Sequence, residues 1–172
     1  MDLVRGEVTS PAYDAVHRRT VAFVAGEYWL VFDSVRADRP HDYALRWHLA
    51  AEPAPEVSWP AESHARVTTP TVHLELAGPA HVSVEEGWVS TLYGVRTAAP
   101  VVVASVDQRT DVDLVTLLAP RRDGRTPTLR SADPASGSVV VDRADGTTDR
   151  IVWRAPHLEV HLGRSSGAGS PS

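Results

Sequence analysis

Apolar and polar residues alternate with a period of two along most of the chain, the spacing of a β-strand with one buried face. His17 to Val24 places Thr20, Ala22 and Val24 on one face, Val21 and Phe23 on the other. Ala25-Gly26-Glu27 then predicts a tight turn in which Gly26 is free to take positive φ. Glu27 to Val35 follows as a mostly apolar strand, a pattern expected where both faces are covered. These two segments predict a hairpin. Arg36 to Pro40 reads as a polar loop. His41 to Leu49 reads as a third strand, with Tyr43, Leu45, Trp47 and Leu49 facing one way and Asp42, Arg46 and His48 the other. Pro53, Pro55 and Pro60 predict an irregular loop through about His64.

From Arg66 onward, strands are expected near 66–69, 71–77, 80–85, 88–95, 100–107 and 111–119. Gly78-Pro79, Glu86-Gly87 and Gln108 to Asp111 are the expected turns. Arg121 to Pro134 reads as a loop. Weaker strands are expected near 137–142, 148–153 and 157–162, with Asp145-Gly146 as a hairpin turn. The head, Asp2 to Asp14, holds two strand pieces around a Ser10-Pro11 break. No segment keeps a helical period. The expectation is an all-β fold, an antiparallel two-sheet β-sandwich of super-sandwich type without substantial helix. It would span residues 1–163 as one domain, followed by a disordered tail over 164–172 that has nothing to bury.

Composition narrows the function classes. A length of 172 residues suits one core. A net charge of −5 argues against a nucleic-acid partner and against an anionic membrane surface. No apolar run reaches the length of a membrane helix, and the first residues lack the pattern of a signal peptide. There is no cysteine, which excludes disulfides and thiolate metal sites. All 17 basic residues are arginine, which fits a GC-rich genome.

Candidate chemistry is sparse. His73 and Glu75 share a strand face, and His81 and Glu85 on the next strand are placed to join them as metal ligands. No His-x-His pair exists, however, and solvent-facing histidines on half-exposed strands explain His73 and His81 as well. No nucleophile elbow and no phosphate-binding glycine loop is present. Glu85, Glu86, Asp111 and Asp113 are not selected by spacing as a paired-carboxylate site. The aromatic residues are more informative, because sugar rings pack on aromatic faces. Trp29 and Trp47 lie in apolar patterns and read as core. Trp59, in the proline-rich loop, and Trp88, Tyr93 and Arg96, around Gly87 to Gly94, are the candidate glycan contacts.

Two stretches resemble a known family. His17-Arg18-Arg19 with its apolar strand, then Tyr28-Trp29-Leu30-Val31-Phe32-Asp33, His41 and Arg46-Trp47-His48-Leu49, is similar to a segment of heparinase II/III-like proteins. Gly87-Trp88-Val89-Ser90, Tyr93-Gly94, Pro100 and Thr116 to Pro120 resemble a second segment of that family. The likeness spans roughly residues 10–120. It implies the C-terminal β-sandwich region of a polysaccharide lyase, an enzyme class that cleaves uronate-containing glycans by β-elimination. The partners implied are an acidic polysaccharide and a separate α/α-toroid that carries the catalytic residues. The family's zinc-ligand motifs do not occur in this chain, so the resemblance carries over no catalytic residue, no zinc ligand and no cofactor. The parent family is often periplasmic or secreted. Asp33 and His48 match family positions, and their expected roles are structural: Asp33 ending a strand, His48 bonding across the sheet.

Overall fold

The computed structural model describes residues 1–51, 53–122, 124–154 and 157–163; the expected tail over 164–172 lies outside the described residues. Among the described residues every regular element is a strand. The twelve are β1 (Asp2–Ser10), β2 (Tyr13–Val24), β3 (Tyr28–His48), β4 (Glu56–Ala61), β5 (His64–Thr68), β6 (Val72–Ala77), β7 (His81–Leu92), β8 (Val95–Pro120), β9 (Thr128–Asp133), β10 (Ser138–Asp142), β11 (Thr148–Arg154) and β12 (His157–His161). All pairings are antiparallel. Eight strands form sheet A, in the order β1-β2-β3-β8-β6-β5-β4 with β7 also on β8; four form sheet B, in the order β12-β11-β10-β9. The expected all-β sandwich is what folds.

Several expected boundaries dissolve into two long strands. Arg36 to Pro40 is no loop; it lies inside β3, where the register against β8 shifts between Arg36 and His41. Gln108 to Asp111 is no turn either, but the interior of β8, with Gln108 at φ 49°. The two irregularities lie side by side in the ladder, so β3 and β8 change direction together. Strand bulges of this kind bend a sheet without ending it. The first limb of β3, Trp29 to Arg36, pairs with Asp111–Leu118 of β8; the second, Tyr43 to His48, pairs with Val101–Val106.

Other departures are smaller. Glu86-Gly87 lies within β7, and the turn falls at Tyr93-Gly94, where Gly94 takes φ 76°. Gly87 has a packing role, since a Cβ there would meet Val101 at 2.3 Å. The proline-rich loop contains β4, and the Arg121–Pro134 loop contains β9. The turn after Val24 forms as expected, with Ala25 and Gly26 at positive φ and the Glu27 amide donating to Val24 O at 3.0 Å.

The bend divides the interior. One core lies between the sheets: Ala22, Leu30, Phe32, Val115 and Leu117 of sheet A meet Leu129, Val139, Val141 and Ile151 of sheet B. A second lies within sheet A, where Val67, Leu74 and Leu76 of the β4–β6 section pack on Val82, Val102 and Ala104. Burying one such aliphatic side chain stabilises by about 1.5–3 kcal/mol. A buried polar strut crosses the first core: the Tyr28 hydroxyl donates to Asp149 Oδ2 at 2.8 Å, and the Gly163 amide donates to Asp149 Oδ1 at 2.8 Å. Burial, then the bonded and charged Asp149, push the Tyr28 phenol far above its ordinary value.

Candidate functional site

The limbs of β3 and β8 enclose a hollow of about 430 Å³ inside the bend. Val35, Val112 and Leu114 from one limb and Leu45 and Val106 from the other give it an apolar floor. Two histidine–carboxylate pairs stand on its rim. His17 Nε2 lies 2.7 Å from Asp33 Oδ1. Arg19 donates to the same carboxylate from Nε at 2.7 Å and from Nη2 at 3.1 Å. His41 Nε2 is bonded to Asp14, which also accepts from Arg39 Nε at 3.0 Å. The bonds from His41 and then Arg39 hold the Asp14 carboxyl below its ordinary value. Tyr43, whose hydroxyl is buried without a hydrogen-bond partner, is pushed up, chiefly by desolvation. Tyr13 stands exposed at the mouth. Asp33 and Asp14 each face an arginine and Asp42 accepts from Gln108, so the hollow offers imidazole and phenol groups above an apolar surface.

Asp33 was expected to end a strand. It sits instead in the interior of β3, 5% exposed, opposite Arg19 in the ladder. Its ion pairs, not a turn, account for its place beside His17-Arg18-Arg19. His48 is exposed at the end of β3.

The structure separates the four expected glycan contacts into two places. Trp88 and Arg96 come together across the β7–β8 hairpin, with the Arg96 guanidinium 5.2 Å from the Trp88 ring centroid. Tyr93 occupies the turn and is fully exposed. Trp59 is exposed, in β4 at the far edge of sheet A. Trp47 packs against the second core, with Arg19 over its ring at 5.5 Å. Trp29 is not core: it is 37% exposed and stacks on Phe23 with centroids 4.6 Å apart.

The histidine–glutamate group expected on β6 takes another form. His73 is not solvent-facing but buried, and Glu75 is fully buried. Glu75 Oε1 lies 2.7 Å from His73 Nε2, and Oε2 is bonded to His64 on the neighbouring strand. Arg66 Nε stands 3.3 Å from Oε1. Burial by itself would raise the Glu75 carboxyl, but the His64 and His73 bonds, with Arg66 nearby, outweigh it and bring the carboxyl down to about 2. His81 is exposed, and Glu85 pairs with Arg46 at 2.6 Å. The two imidazoles therefore face a carboxylate rather than converging on a common point. Among the described residues no group of three or more histidine, aspartate or glutamate side chains is arranged to hold a metal ion.

Sequence reasoning missed His64, Arg66 and Asp14. The first two stand opposite Ala77 and Glu75 in the β5–β6 register, a pairing that the short hairpin around Thr69 implies. Nothing in the local pattern links Asp14 to His41.

The fold is a β-sandwich domain, an eight-stranded sheet with shared bulges backed by a four-stranded one. The family described as heparinase II/III-like, C-terminal, matches residues 3–154, and the chain belongs to that family. No curated protein sequence matches it. Among solved structures, the heparan sulfate lyase HepC from Pedobacter heparinus is similar at 18% identity and a TM-score of 0.61, over 94% of this chain and 26% of that one. A heparinase III, the BT4657 gene product, is similar at 19% identity and a TM-score of 0.58, over 93% of this chain and 25% of that one. Another heparinase III structure is similar at 13% identity and a TM-score of 0.60, over 94% of this chain and 25% of that one. The chain thus spans about a quarter of the length of these lyases.

Proposed function

We propose that the chain is the sheet-domain part of a polysaccharide lyase acting on uronate-containing glycans, and that it forms and supports a wall of the substrate cleft. Residues 1–163 make up that domain. The carrying observation is the family match over residues 3–154, joined to a fold that covers about a quarter of each lyase. β-Elimination needs the uronate carboxylate neutralised, the C5 proton removed and the leaving oxygen protonated. These tasks belong to a separate helical toroid, and the chain alone is inactive. Its partners are an acidic polysaccharide and that toroid. The test is ultraviolet absorbance of unsaturated product when the purified chain meets heparan or alginate. No product is expected, and steady product formation would refute the assignment.

A second reading, an independent carbohydrate-binding module, is favoured by the exposed Trp88–Arg96 pair with Tyr93 at the adjoining turn. An exposed ring capped by a guanidinium suits a sugar face beside a carboxylate or sulfate. Calorimetric titration with acidic oligosaccharides tests it. Affinity lost in Trp88→Ala supports the module; no binding at millimolar concentration counts against it.

A further inference from the structure

The seam between the sheets opens into a cleft that neither reading uses. On one side of β3, Leu30 and Phe32 are buried in the first core, and the same side continues as Ser34 and Arg36. Across the ladder, Arg5 pairs with Thr20 and Thr20 with Phe32; Arg18 pairs with Ser34 and Ser34 with Asp113. The opposite wall is sheet B, with the Pro134–Gly137 turn and Trp153-Arg154. Close backbone contact sets that wall. The Trp153 amide donates to Gly137 O at 2.7 Å, and a Cβ on Gly137, at φ 69°, would lie 2.0 Å from Trp153 O. The space enclosed is about 310 Å³, room for about one or two sugar rings by the scale of small-molecule sites.

The cleft is strongly basic in a chain whose net charge is −5. Arg5, Arg18, Arg36 and Arg154 line it against one carboxylate, Asp113. Arg36 Nη2 holds Asp113 at 2.9 and 2.7 Å, and Arg18 holds Glu7 at 2.6 Å. Among the described residues Arg5 and Arg154 have no carboxylate partner. Arg5 lies over the Trp153 indole at 5.9 Å, which orients its guanidinium without neutralising it. Uncompensated guanidinium groups beside hydroxyls and an indole make a receptor for a planar or tetrahedral oxyanion attached to an apolar-faced ring.

We propose that this cleft binds the sulfate or carboxylate group of an acidic saccharide. That the oxyanion is carried by a sugar rests on the function proposed above; the anion site stands on the geometry of the cleft. The test titrates the full chain calorimetrically with a sulfated uronate disaccharide, with neutral cellobiose and with sodium sulfate. Arg5→Ala and Arg154→Ala, both at exposed positions, are each expected to weaken disaccharide binding about tenfold. Arg130→Ala, an exposed arginine outside the cleft that pairs with Asp142, should leave it unchanged, and cellobiose should not bind. Disaccharide binding that survives both cleft variants overturns the site. If only Arg96→Ala abolishes binding, the cleft falls while the polysaccharide reading stands. Sulfate binding as tightly as the disaccharide, and lost in the cleft variants, overturns the sugar assignment.

Discussion

Glu75 and Asp14 are the same device placed in two environments. Each is a carboxylate bonded to histidine with an arginine alongside. Glu75 is fully buried beside the inter-sheet core. Asp14 stands on the rim of the hollow beside Arg39, which is 75% exposed. Water and salt screen the rim group and leave the buried one to its protein partners alone. Similar contacts therefore carry very different energetic weight, and burial rather than partner count sets the difference.

The largest break in that comparison is Glu75→Ala. It leaves His64, His73 and Arg66 facing a void and is expected to destabilise the fold by about 3 kcal/mol. Denaturant unfolding measures this, and a loss under 1 kcal/mol would put Glu75 in the same class as Asp14.

Acid sharpens the point. The Glu75 carboxyl lies near 2 in the fold and at 4.5 ordinarily. The unfolded chain therefore binds the proton first as pH falls. The stabilisation from Glu75 is complete above about pH 4.5 and is lost as pH drops towards 2. Stability followed by tryptophan fluorescence should fall across that window in the natural chain. Glu75→Gln, which keeps an acceptor but cannot titrate, should fall less there.

Asp149 extends the comparison to a neutral donor. Tyr28→Phe removes the hydroxyl but leaves the Gly163 amide, with Arg143 Nε at 3.8 Å. Thermal unfolding should register a loss of about 1–2 kcal/mol. The smallest effect belongs to Arg18→Ala, which breaks an exposed pair with Glu7 and should change stability by about 0–1 kcal/mol. The same substitution should weaken acidic-saccharide binding if the seam cleft is occupied.

Much of the sheet was legible in short windows. The Thr20–Ala22–Val24 face, the Ala25-Gly26 turn and the Tyr43–Leu45–Trp47 face appear as the period-two pattern predicts. Polar breaks misled where they mark bends. Arg36 to Pro40 and Gln108 to Asp111 look like loops because their residues are hydrophilic. Here the β3–β8 ladder lapses over Ala37 to Pro40 and at Gln108 and Thr110 and resumes beyond them, so the strands run on through a bulge rather than ending. Pro60 likewise sits in an edge strand, where a missing N–H costs no ladder bond.

The class of fold, the hairpins and the family can be read along the chain, because alternation, turn glycines and ordered motifs are local properties. They do not decide which side chains meet. His64 reaches Glu75 only through the β5–β6 register, Asp14 reaches His41 across 27 residues, and Arg5 reaches Trp153 only because sheet B closes over sheet A. Such meetings depend on register, on the shared bend of β3 and β8 and on the packing of one sheet over the other, which arise only once the chain is folded.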